Sequence, residues 1–256
     1  MSVQKFGKEQ AVVLVKALPQ PSETYGETVC VAGLTRAGEW RRLYPVRFRQ
    51  LQDKFKRWQW IEYDWRAPKD DRRRESRNVD EDSIEPLSQL RKGERSTFLS
   101  SRIRQSTDEA ARLGESLTII RPFNSHFSWR PKSPNEIDLE RLTYANAARQ
   151  LSLLDMDNEL RALDPCPYKF YFDYKSSDGK SHLNFCHDWE TSAAFHKLSR
   201  TYGAAGALEH LNEEYNVRYP KAGMAFALGT HSQRPEQWLL IGVLRLDEER
   251  QSGLAL

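Results

Sequence analysis

The chain has 256 residues, of which 39% are hydrophobic and 29% charged, with a net charge of +3 at pH 7. That composition belongs to a globular protein of one or two domains and excludes a disordered chain or a membrane-embedded one. The polar start MSVQKFGKEQ is unlike a secretory signal and Cys30, Cys166 and Cys186 are widely spaced, so a soluble cytoplasmic protein with reduced thiols and no membrane partner is expected.

In chain order, AVVLVKALPQ (11–20) predicts a buried strand closed by Pro19 and Pro21, and ETVCVAGLT (27–35) a second strand after Tyr25-Gly26. Ala37-Gly38 makes a turn into EWRRLYPV, residues 47–56 suit a short amphipathic helix, and WQWIEYDW (58–65) alternates as a strand. Residues 68–82 read as a charged loop and 83–114 as polar with helical stretches, the best of them after Ser106-Thr107. ESLTIIRPF offers a strand, 124–135 a linker, and 138–154 a helix. YKFYFDYK and KSHLNFCH flank the turn SSDG, Asp188 suits the N-cap of a helix that Gly203 ends, a second helix spans 205–219, and GMAFALGTH with QWLLIGVLRL predicts a last hairpin. The expectation is an α+β fold: a small antiparallel β-barrel-like unit, helices, and a C-terminal hairpin, two-helix, hairpin unit, divided into domains at 1–123 and 136–256.

Charge is unevenly spread. Between Trp40 and Arg77 there are thirteen Lys or Arg against six Asp or Glu, so this stretch carries a local excess of seven positive charges together with four of the seven tryptophans. Guanidinium and ammonium groups displace counterions from phosphates, and aromatic faces stack on unpaired bases. Nucleic acid, DNA in particular, is therefore the expected partner, bound by a monomer through Tyr25, Trp40, Arg41, Arg42, Tyr44, Arg47, Arg49, Lys56, Arg57, Arg72, Arg73, Arg74 and Arg77. The plainer alternative makes Trp58, Trp60, Phe48 and Phe55 core and pairs the arginines with Glu62, Asp64, Asp70 and Asp71.

Candidate acids and bases are scattered: Glu27, Asp71, Glu75, Asp173, Asp188, Glu190, His182, His187 and His231. A hydrolase of a glycosidic bond needs a carboxylate near the anomeric carbon, for which Glu27, Asp71 and Glu75 come first and Asp188, already suited to a helix cap, second. Asp164 with Asp173-Tyr174-Lys175 is a faint nuclease-like pattern, and Cys166, His182, Cys186 and His187 lack zinc-site spacing. No nucleotide, dinucleotide or nucleophile-elbow motif is present, so no metal and no cofactor is expected.

YGETVCVAGL, GEWRRLYPVRFRQL, DRRRES, PYKFYF, HDWE and FALGTHSQRPEQWLLIGV together resemble an uncharacterised family of bacterial cytosolic proteins over most of the chain. Members of that family bear cysteines in the hairpin that here reads DYKSSDGKSHLNFC, so residues 173–181 depart from its pattern. The N-terminal strands are similar to the barrels of the PUA, ASCH and EVE group, which implies an aromatic pocket for RNA or a modified base. In size and lack of cofactor motifs the chain also resembles antiphage DNA glycosylases, which implies extraction of a modified base and cleavage of its N-glycosidic bond. A non-catalytic reader of RNA or modified DNA, a metal-dependent nuclease and a protein interaction module are the alternatives.

Overall fold

A computed structural model describes residues 5–248 apart from 19, 23–25, 48–53, 70, 72, 155–163 and 232–233. Strands β1 (Phe6–Lys16), β2 (Gln20–Ser22), β3 (Gly26–Leu34), β4 (Trp40–Arg47), β5 (Gln59–Arg66) and β6 (Ser76–Gln89) form the first sheet. Its order β1-β5-β6-β4-β3 closes through β1–β3 pairing into a five-stranded barrel, with β2 added on β3. Neighbours run antiparallel except β4 and β6.

The apolar run in β1 explains how the barrel is attached. Alternate residues of a strand face opposite sides. Ala11 and Val13 enter the barrel core with Val31, Leu43, Phe55, Ile61, Tyr63 and Ile84. Val12 and Leu14 enter a second core with Trp58, Trp60, Ile119, Ala225, Ile241 and Leu244. A strand buried on both faces needs an unbroken apolar stretch, which Ala11–Val15 supplies. At the β1–β3 seam a Cβ on Gly33 would lie 2.2 Å from the Val12 carbonyl oxygen, so only glycine fits there.

A helical connection containing α1 (Arg95–Leu99) leads to β7 (Ile103–Arg104), α2 (Thr107–Arg112) and β8 (Leu117–Ile120). Ser106 caps α2 by accepting from the Glu109 amide, as its sequence predicts. Then come β9 (Phe123–Pro131), α3 (Pro134–Leu154), the hairpin β10 (Tyr168–Lys175) and β11 (Ser181–Phe185), α4 (Trp189–Glu213), and the hairpin β12 (Met224–His231) and β13 (Arg234–Arg245). These strands make two sheets, β11-β10-β9 and β13-β12-β8-β7. A third core, rich in aromatics such as Phe127, Phe170, Phe172, Tyr215 and Phe226, fills the C-terminal half. Gly203, at φ 70 and ψ 174, breaks α4 at the residue expected to end a helix.

The α+β class and the N-terminal barrel are as expected, with one strand more. Residues 76–89, read as loop and helical stretches, are β6, because pairing with β4 and β5 outweighs their polar composition. The expected linker at 124–135 is mostly β9, paired with β10 from Tyr168 to Lys175. The amphipathic helix expected at 47–56 falls largely outside the described residues.

Candidate functional site

Where the barrel meets β12 and β13, a cavity of about 630 Å³ opens, a size suited to a small organic ligand. Cys30 of β3, Arg42 and Tyr44 of β4, and Ser76, Arg77 and Asn78 of β6 form the barrel wall, with Lys69, Asp71 and Arg73 from the segment before β6. Gly229, Thr230 and His231 of β12, and Leu239 and Ile241 of β13, form the opposite wall. Ala17, Leu18 and His187 lie at one end. The charged lining residues are Arg42, Lys69, Arg73 and Arg77 against Asp71 alone, so the described cleft favours an anion.

Alternation along β4 sends Leu43 into the barrel core and leaves Arg42 and Tyr44 on the face that borders the cleft. Arg42 is only 8% exposed. Its Nη2 donates to the Ser116 carbonyl and hydroxyl oxygens at 3.3 Å each, and its Nη1 to the Cys30 sulfur at 3.6 Å. Its Nε has no partner, and no Arg42 ion pair occurs among the described residues. The Glu75 carboxylate reaches the guanidinium only indirectly, by accepting a hydrogen bond from Ser116, while the Glu75 carbonyl accepts from the Arg42 amide at 2.9 Å. A buried charge without a counter-charge is costly, and an anion in the cleft would offset that cost. Gly229 keeps the opposite wall thin: a Cβ there would meet Ile241 and Leu117 side chains at 2.8 and 3.0 Å.

Asp71 sits on the rim with both oxygens occupied. It accepts from Arg73 Nε at 2.8 Å, Arg73 Nη2 at 2.6 Å, the Arg73 amide at 3.1 Å and Ser76 Oγ at 2.7 Å. Burial alone would raise its pKa, but these hydrogen bonds and the guanidinium charge hold it at about 2. Asp71 is therefore a carboxylate at neutral pH, with its charge largely spent on Arg73. Burial also works against the Arg73 charge, and the Asp71 hydrogen bond and charge, with Cys30 and Glu75 contributing less, more than offset it.

His187 divides this cleft from a second cavity of about 370 Å³ lined by Tyr168, Phe170, Phe185, Trp189 and His196, among others. Burial and then the charge of His231 push its pKa down to about 4, so its ring is neutral at pH 7. Backbone hydrogen bonds to Leu18 and Leu240, at 2.8 Å each, fix its place.

The other residues named from the sequence are dispersed. Arg41 is locked by Glu9 and Glu39 at 2.7 Å, whereas Arg77 borders the cleft while lying over the Trp65 ring at 4.0 Å, near Glu9. Arg57 points into the interior, bonded to Asp188 at 2.6 Å and to the Val243 carbonyl at 2.7 Å. Asp188 is fully buried and caps α4 through the Glu190 amide. Trp58, Trp60 and Phe55 are core, and Trp40 packs half-buried on the second core. Lys56 and Arg74 are exposed away from the cleft lining. Tyr25, Arg49 and Arg72, and the side chains of Glu27 and Arg47, lie outside the described residues. The arginine segment thus forms no continuous basic face among the described residues: Arg41, Arg57 and Arg73 are each met by acids. The structure brings together Arg42, Tyr44, Asp71, Arg73 and Arg77, and adds Cys30, Ser76, Ser116 and Gly229, which sequence reasoning missed as site residues. Strand register was the missing signal, because Ser116 lies 74 positions from Arg42. Among the described residues no cluster of three or more His, Cys, Asp or Glu could hold a metal ion, and no helix is long and apolar enough to cross a membrane.

Two family models match the chain. The one described as Domain of unknown function (DUF8758) matches residues 7–104, and the one described as Domain of unknown function (DUF8757) matches residues 97–255. They meet in the helical connection after β6. No curated protein matches the chain.

Proposed function

We propose that this chain, which belongs to the DUF8757 family by the match over residues 97–255, is a reader of DNA that holds one unpaired or extruded nucleotide in the cleft. The observation that carries this reading is Arg42, a buried guanidinium bordering the cavity with no carboxylate partner among the described residues. A phosphate oxygen supplies the missing counter-charge through a charge-assisted hydrogen bond. Tyr44, 42% exposed on the same wall, offers a ring for base stacking, and the volume suits one nucleotide rather than a duplex. The neutralised outer arginines fit the same picture, since contact with a long stretch of backbone would need them free.

The test is fluorescence anisotropy with labelled oligonucleotides: a fully paired duplex, the same duplex with one unpaired base, single strands of DNA and RNA, and mononucleotide competitors. The unpaired base should bind best, and Arg42→Ala should weaken binding by about 10- to 100-fold, the loss of one hydrogen bond to a charged group. Equal affinity for the fully paired duplex, or binding indifferent to Arg42→Ala, rejects the reading; preference for RNA shifts the target. A second reading, hydrolysis of the N-glycosidic bond, is favoured by the ionised Asp71 at the rim, which could steady an oxocarbenium-like transition state. Its commitment to Arg73 and Ser76 places it second. Abasic sites produced by the native protein and abolished by Asp71→Asn would promote this reading above the first.

A further inference from the structure

The three cysteines differ in surroundings. Cys166 and Cys186 are buried in the C-terminal half, where burial pushes their thiols up to about 11 and 12. Cys30 is half-buried and borders the cleft. A thiol alone makes no site, but the group beside it is unusual. Arg42 is more than nine-tenths buried, has an Nε without a partner, and donates from Nη1 to the Cys30 sulfur at 3.6 Å. A guanidinium with no carboxylate partner among the described residues therefore donates to the sulfur of the one cysteine that borders this cleft among the described residues.

We propose that Cys30 is a modification site selective for small anionic electrophiles, meaning carboxylate- or phosphate-bearing molecules with a soft electrophilic carbon. The anion docks on Arg42, and docking brings the carbon to the sulfur, so that a bimolecular encounter becomes a local one. With an α-halocarboxylate, the thiol proton passes to water and the sulfur lone pair forms the S–C bond as the C–halogen bond breaks. The halide departs with its electron pair, so no oxidant is required. This inference shares the anion-binding cleft with the nucleotide reading but does not depend on which anion the cell supplies.

The experiment uses the full chain and two alkylating probes, iodoacetate and iodoacetamide, each compared with its rate toward free N-acetylcysteine under the same conditions. Modification is located by peptide mass mapping. Relative to the free thiol, Cys30 should favour the anionic probe by about tenfold, the low end of electrostatic enrichment in a charged cleft. Inorganic phosphate should slow iodoacetate without slowing iodoacetamide, while Cys166 and Cys186 react only after denaturation. Arg42→Gln should return the ratio to that of the free thiol, with retained circular dichroism showing that the fold survives, and Arg42→Lys should keep part of the preference. A Cys30 that ignores both probes, or a ratio equal to the free thiol in the native protein, overturns the proposal, as does a preference untouched by Arg42→Gln. Selective alkylation with no nucleotide protection would leave this site standing and remove the nucleotide reading. Nucleotide binding without selectivity would do the reverse.

Discussion

The junction between the barrel and the C-terminal sheet has a sealed end and an open end, and each contains an arginine of the N-terminal half that is largely withdrawn from solvent. At the sealed end Arg57 meets Asp188, which also accepts from the amides of Glu190 and Val243. Burial opposes the Arg57 charge, yet Asp188 and Glu190 hold its pKa above the ordinary value. Arg95 is likewise paired nearby, bonded to Asp247 and stacked on Trp58, although burial leaves its pKa below the ordinary value. At the open end Arg42 has a serine, a thiol and a cavity in place of a carboxylate. The same residue type at similar depth is thus structural where an acid balances its charge, and under the proposed function serves a ligand where no acid among the described residues does.

The sharpest break in that comparison is Asp188→Ala. It strands the Arg57 charge, uncaps α4 and orphans the Val243 amide, so urea unfolding should show a loss of about 3–5 kcal/mol. A loss below about 1 kcal/mol would mean that the sealed end owes nothing to the pair.

Acid should act next, through His187 at the border of the open end. Its folded pKa of about 4 lies below the unfolded value of about 6.5. The unfolded state therefore binds the proton first, and the contribution of neutral His187 is complete above pH 6.5 and is lost as pH falls toward 4. The full effect is about 3 kcal/mol, and His187→Gln should flatten the stability profile between those limits. Asp71, whose pKa is also depressed, contributes in the same sense at lower pH: its share is present above about pH 4 and disappears as pH drops toward 2.

The smallest effect belongs to Lys69, exposed on the cleft rim. Lys69→Gln should lower nucleotide association by about threefold or less and vanish at high salt. Stopped-flow rates across ionic strengths check this, and a loss matching Arg42→Ala would show that the rim, not the buried guanidinium, holds the ligand.

Local features were legible in the sequence because their causes are local. The Ser106 and Asp188 caps, the break at Gly203 and the β10–β11 and β12–β13 hairpins each depend on a few adjacent residues. Strand β6 was hidden by its composition and by two register shifts against β5, which leave only Ser76, Val79 and Ile84 buried along fourteen residues. The cleft was hidden for another reason. Thirteen basic residues in one stretch look alike, and what separates Arg42 from Arg41 or Arg57 is which acid the fold brings near. Charge counting pointed to the segment that holds Arg42 but could not single Arg42 out.

Strand β1 lends Ala11 and Val13 to one core and Val12 and Leu14 to another. Scission of the polypeptide near residue 100, where the two family matches overlap, would strip one flank of that strand and leave a water-exposed apolar wall on an isolated barrel, an invitation to self-association. The two matched regions therefore share one interior, each supplying side chains to the same core.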